Sequence, residues 1–197
     1  MTFEEFRELQ KGYKAFHFTG HGAYNFREPA KSALGLADGL LSAKQISQLD
    51  LSSYQLVCLA ACETALTGED GIPDEYVGLA SAFLKAGAAN VLSTLWPVDE
   101  IASAWMMIRF YQNLLAGSSP AAALKSAQQW LQTVSSVELA DWIMQLSQLT
   151  GLQTKAAERL EARAKNVLEL GGTMEPNQPT EYQHPYYWAA FTLTGWG

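Results

Sequence analysis

The sequence predicts an α/β domain built on a mostly parallel sheet. Three observations carry this. Apolar stretches of strand length alternate with helical ones along much of the chain. Leu56–Ala61, LVCLAA, is apolar throughout with no alternation, the pattern of a central strand buried on both faces. Helix start and stop signals fall between these stretches, at Ser42, Gly87 and Ser119-Pro120.

Phe3–Gln10 has apolar residues at helical spacing (Phe3, Phe6, Leu9), and Lys11-Gly12 ends it. Tyr13–Thr19 is rich in aromatic residues and predicts a strand, with GHG following at its end. ALGLADGLLSA predicts a small hairpin turning on Asp38-Gly39. Ser42 and Gln45 form a capping box for a helix to Leu49. After the strand at Leu56 comes the acidic, glycine-bearing loop TGEDGIPDEY. A helix over Glu75–Lys85 follows, with Gly87 as its C′ residue.

Asn90–Trp96 predicts another strand, stopped by Pro97. Ile101–Leu115 is a long apolar helix, and Ser119-Pro120 caps and starts the next, to Gln132. Glu138–Leu149 and Gln153–Leu168 form a helical pair, set within 136–170, before the last strand, YYWAAFTLTG. The expectation is one domain over 1–197, with its ligand site at the carboxyl ends of the strands.

Composition narrows the function. Hydrophobic residues make up 48% and charged residues 17% of 197, enough apolar material for a large core. The net charge of −7, with no basic block, argues against nucleic acid as a partner. No run reaches the length of a membrane span, and the acidic start, MTFEEFRELQKG, lacks the form of a signal peptide. Cys58 and Cys62, four residues apart on a strand, would be separated by about 13 Å, beyond disulfide reach. Reduced thiols point to a cytoplasmic protein.

His21 and Cys62 each follow directly on a predicted strand. On neighbouring parallel strands, about 4.8 Å apart, they share one edge of the domain. A histidine beside a thiol takes its proton or stabilises the nucleophilic thiolate. Gly20 and Gly22 would let the chain turn sharply there. The N–H groups of Gly22 and Cys62 would then hold an oxyanion. Cys58, mid-strand, reads as a small buried hydrophobe, and His17 as a packed or solvent-facing residue. His184, before Pro185, would reach the site only through a folded-back loop.

Other chemistries lack their patterns. There is no GxxxxGK[ST], no GxGxxG, no HExxH and no EF-hand. No cofactor and no metal are expected; Cys62 with His21 and an acidic residue is the one arrangement that would still admit zinc.

FHFTGHG, a strand ending LAACET, then GLASAFLKAGAANVLSTLWPVDE and HPYYWAAFTLTG together resemble the CHAT domains (caspase HetF associated with TPRs). These share the fold group of caspases, separases, legumains and gingipains. The caspase pattern QAC[RQG]G is not matched. The order of histidine and cysteine is, with the histidine 41 residues upstream where caspases have about fifty.

The resemblance implies a three-layer α/β/α caspase-like fold and a bacterial source. It implies a cysteine endopeptidase acting on protein or peptide through His21 and Cys62, by way of an acyl-enzyme. Trp96 and Asp99 would line the substrate pocket, with Asp70 and Asp74 in reserve. An aspartate there would favour cleavage after a basic residue; the alternative role for Asp99 is to cap the helix that follows.

The resemblance also implies two strands before the histidine strand, which has only a short helix ahead of it. Their absence would leave the Tyr13–Thr19 edge open to a regulatory or fold-completing protein partner. A non-proteolytic interaction module is therefore the competing reading, and a small-molecule thiol hydrolase the third.

Overall fold

A computed structural model describes residues 1–9, 13–23, 25, 28–63, 76–149, 151–171 and 180–195, with the backbone alone at 9, 61–63, 76–77 and 170–171. The chain divides into two compact units, Met1–Ala127 with Ala189–Gly197, and Gln128–Trp188.

The first unit holds a six-stranded sheet, ordered β3-β2-β1-β4-β5-β6. Its strands are β1 (Ala15–Ala23), β2 (Ala33–Leu36), β3 (Gly39–Ser42), β4 (Leu56–Glu63), β5 (Asn90–Thr94) and β6 (Phe191–Gly195). The centre, β1-β4-β5, is parallel. The flanking strands pair antiparallel. The β2–β3 hairpin lies on the other flank of β1 from β4, beyond the Tyr13–Thr19 stretch whose edge was expected to be open. It pairs with β1 at Gly22 and Ala23.

One face of the sheet carries a packed cluster of the core. Phe16 and Phe18 of β1, Leu34, Leu41, Val57 and Leu59 point into it. There they meet Phe6 of α1 (Phe3–Leu9), Ile46 of α2 (Ala43–Ile46), and Leu79 and Phe83 of α3 (Tyr76–Lys85). Phe6 is 1% exposed and its ring meets that of Phe16 edge-on at 5.1 Å. The N-terminal helix thus packs on one face of β1. The helix is also tied to the hairpin: Ala37 N–H donates to the Met1 carbonyl, and Phe3 N–H to the Asp38 carboxylate, each at 3.0 Å.

The local signals act as their chemistry dictates. Ser42 and Gln45 form a reciprocal capping box, although α2 stops at Ile46 rather than Leu49. Past the end of α3, Gly87 has φ +106°. Its N–H donates to the Leu84 carbonyl at 3.0 Å, and Ala88 N–H to Phe83 at 3.1 Å, a Schellman closure. Ser119 caps α5 (Pro120–Thr133) through the N–H of Ala122.

Several boundaries differ from expectation. The hairpin turns on Ala37-Asp38, and Gly39 already begins β3. β5 ends at Thr94, before Trp96. Pro185–Trp188 is a short helix, α8, so the last strand begins only at Phe191. Proline there sets the φ of a first helical turn, which outweighs the strand preference of the aromatic run. β1 runs to Ala23, through the GHG expected to turn. Gly20 is extended backbone, and its missing Cβ leaves room for the Phe18 ring, whose Cζ would lie 2.9 Å away.

In the second unit, α6 (Ser136–Ser147) packs along α7 (Thr154–Gly171). Ser135 and Glu138 form the capping box that starts α6. Trp142 of α6 meets Trp130 with ring centroids 4.7 Å apart.

Candidate active site

β1 alternates along its length. Phe16, Phe18, Gly20 and Gly22 are half-buried or buried, while His17, Thr19 and His21 are exposed. The period of two puts these three on one face, opposite the Phe16–Phe18 core. β4 lies beside it in continuous parallel register, with His17 opposite Cys58, Thr19 opposite Ala60, and His21 opposite Cys62. Position 62 has the strand parity of Cys58 and Ala60. The sequence-derived pair is therefore brought to neighbouring positions on adjacent strands. The correction concerns their setting: both lie within strands rather than just after them. Gly22 is likewise strand, with ladder partners Leu34 and Glu63 on its two sides.

On this face, α4 (Glu100–Leu115) borders β1. Between them lies an open cavity of about 610 Å³. His17, Thr19, Gly20, His21 and Ala60 line its sheet side. Glu100, Ser103, Ala104, Met107, Ile108 and Tyr111 line its helix side. Helix contacts three and four residues apart make one stripe of α4.

The end of the cavity away from His21 is polar. Tyr111 Oη lies 2.6 Å from His17 Nδ1. The Tyr111 hydroxyl also hydrogen-bonds the Cys58 thiol. Burial pushes that thiol up to about 11. Burial also raises the Tyr111 phenol and lowers the His17 imidazole below its ordinary value. Cys58 is fully buried, as expected of a structural thiol, and at neutral pH it stays protonated. A second His–Cys pairing thus sits one repeat inward from the first. Sequence reasoning separated these residues. The signal was there: His17 precedes His21, and Cys58 precedes Cys62, by the same four residues.

The remaining candidates sort differently. Asp99 caps α4, its Oδ1 accepting from Ala102 N–H at 2.8 Å, which is the role weighed against the pocket role. Trp96 is half-buried after β5, and neither it nor Asp99 lines the cavity. Asp70 and Asp74 lie outside the described residues. His184 belongs to the second unit, where its Nδ1 accepts from Tyr186 N–H at 3.2 Å. Among the described residues, no group of three or more His, Cys, Asp or Glu side chains converges as a metal site would require. No described helix is long and apolar enough to cross a membrane.

Fold and sequence agree with a comparison to known families. The CHAT domain family matches residues 1–196, and the chain belongs to it. Among curated proteins it is similar to tetratricopeptide repeat protein 28. Identity is 38% over 100 residues with the mouse protein and 36% over 98 residues with the human one. Each match spans 50% of this chain and 4% of the relative, so the chain corresponds to a small part of those proteins. These relatives are animal proteins and lend no support to the expected bacterial source.

Proposed function

We propose that the chain is a caspase-like cysteine endopeptidase domain, with Cys62 as nucleophile and His21 as its base. The observation that carries this is the register of β1 on β4, with His21, which lines the open cavity, opposite Cys62. The imidazole would take the thiol proton as sulfur attacks the peptide carbonyl carbon. It would return that proton to the leaving amine, and water would then hydrolyse the thioester. The N–H groups of Gly22 and Cys62 are the proposed oxyanion donors. Cleavage after a basic residue, through the free oxygen of Asp99, is the finer proposal. The cap contact of Asp99 weighs against it.

A peptide carrying a carbon electrophile such as an acyloxymethyl ketone tests the assignment. The expected result is a single adduct, mapped by mass spectrometry to Cys62 and lost on prior alkylation. Labelling of Cys58 instead, or none with any peptide, overturns it.

Membership of a family matched in tetratricopeptide repeat proteins supports a second reading, a protein-interaction module. In that case an inactive domain would bind its partner equally well with Cys62 replaced by Ala.

A further inference from the structure

The two faces of the sheet near β1 differ in kind. On one, Phe16, Phe18, Leu34, Leu41, Val57 and Leu59 form core beneath three helices. On the other, the row His21, Gly35, Leu40 runs across β1, β2 and β3, and α4 borders it only across the open cavity at His21. Leu40 is 67% exposed. Gly35 approaches His21 so closely that a Cβ there would lie 3.1 Å from the His21 carbonyl oxygen. Along β1 this face adds Thr19 and His17.

A face awaiting a docked helix would carry large apolar side chains, as the opposite face does. Apart from Leu40, this one offers two imidazoles, a hydroxyl, glycine backbone and Ala60. Small and polar residues suit a surface that stays wet and accepts a backbone at close range.

The groove is also the wrong length for one side chain. From His21 to His17 it follows four residues of extended strand, about 13 Å. A guest lying along it would be a short extended segment of about four residues, starting beside the candidate nucleophile. Its walls are Met107, Ile108, Ala104 and Ala60. The one carboxylate among its described lining residues, Glu100, belongs to the first turn of α4. The inner end presents neutral donors and acceptors. The phenol of Tyr111 suits donation to His17 Nδ1, because a neutral imidazole nitrogen is the stronger acceptor, and this leaves Nε2 as an N–H donor.

We propose that this groove binds a stretch of about four uncharged, mainly apolar residues on one side of the scissile bond. His17 and Tyr111 would hydrogen-bond the far end of that segment. The assignment rests on the peptidase reading for its direction outward from Cys62. A charged segment would lose water along the groove, and among its described lining residues only the carboxylate of Glu100 would offer a cation a partner.

The test uses the full chain with Cys62→Ala, so that binding is read without cleavage. Fluorescein-labelled decapeptides carry a Val-Leu-Phe-Tyr tetrad on either side of a central Ala-Ala, or Lys or Asp tetrads in the same places. Anisotropy is measured at 150 mM salt, where the net charge of −7 draws cationic peptides less. One apolar peptide is expected to bind about tenfold tighter than its charged counterparts. Ala104→Trp, which fills the groove from an exposed helix position, is expected to remove that advantage. Ala122→Trp, on the exposed surface of α5, should keep it.

Equal binding of all tetrads overturns the proposal, as does an apolar preference that survives Ala104→Trp. Thermal melts of both tryptophan variants exclude misfolding as the cause. If Ala104→Trp does unfold the chain, Ile108→Lys takes its place with the same expectation. Groove-dependent binding by a chain that hydrolyses nothing would sustain this inference while removing the peptidase reading. Hydrolysis indifferent to the tetrad and to Ala104→Trp would do the reverse.

Discussion

His17 and Tyr111 are joined across the cavity by a 2.6 Å hydrogen bond, and the same phenol reaches the Cys58 thiol from α4. The contact ties the helix to both central strands at the end of the groove away from His21. Tyr111→Phe removes the phenolic oxygen and leaves Nδ1 and the thiol without that partner. A loss of about 1 kcal/mol in urea unfolding is expected, the typical worth of such a bond. A midpoint and slope identical to those of the parent chain would show that the bond does not fasten α4.

Cys58 gives a prediction in pH. Its thiol is held near 11 in the folded chain, above the ordinary thiol value, because burial opposes the thiolate. The folded state therefore keeps a proton that the unfolded chain sheds. The stability this contributes is full below about pH 8.5, the ordinary thiol value, and is lost as pH rises towards 11. In the Cys62→Ala background, iodoacetamide at pH 8 should leave Cys58 unmodified until denaturant is added. Rapid native-state alkylation would mean that the strand opens.

His17 works at the other end of the scale. Burial lowers its pKa, so the unfolded chain takes up a proton on acidification before the folded chain does. Stability from this source is present above about 6.5 and falls as pH drops through that value towards the folded pKa. Much of the imidazole remains open to solvent, so the slope should be shallow. Chemical unfolding at pH 7.5, 6.5 and 5.5, compared with His17→Asn, isolates it. Identical slopes in parent and variant would remove His17 as the source.

For the proposed dyad, His21→Gln keeps a polar side chain but cannot act as a base near neutrality. Peptide hydrolysis should fall about a hundredfold or more. The residual rate should climb with pH, since thiolate would then form only by direct ionisation of Cys62. A rate and pH profile equal to the parent's would show that another group accepts the proton.

Phe6 tests the N-terminal helix. Its ring is buried against Phe16 in the core, so Phe6→Ala should cost about 3–5 kcal/mol. A change below 1 kcal/mol would show that α1 lies on β1 without holding it.

What could be read beforehand was whatever depends on neighbours in sequence. Ser42 with Gln45, Gly87, and Ser119 with Pro120 act within one helical turn, and each appears where its chemistry put it. The neighbouring positions of His21 and Cys62 on β1 and β4 were also legible, because both close aromatic or apolar strand patterns. Their settings were misjudged for a physical reason. Glycine favours turns, but at Gly20 it makes room for the Phe18 ring inside an extended strand. Tyr111 was hidden altogether. Its partners are 94 residues away at His17 and across the sheet at Cys58, and nothing local distinguishes it from the other aromatics of α4.

The register of β1 on β4 also imposes an order in time. His21 and Cys62 are 41 residues apart in the chain, and neither strand alone contains the pair. At a synthesis rate of about 5–20 residues per second, the histidine waits roughly two to eight seconds for the cysteine to be made. The intervening segment must then close as a loop before the ladder can zip. A newborn chain thus lacks the proposed dyad through that interval, because positions 21 and 62 become neighbours only in a strand pair that has already folded.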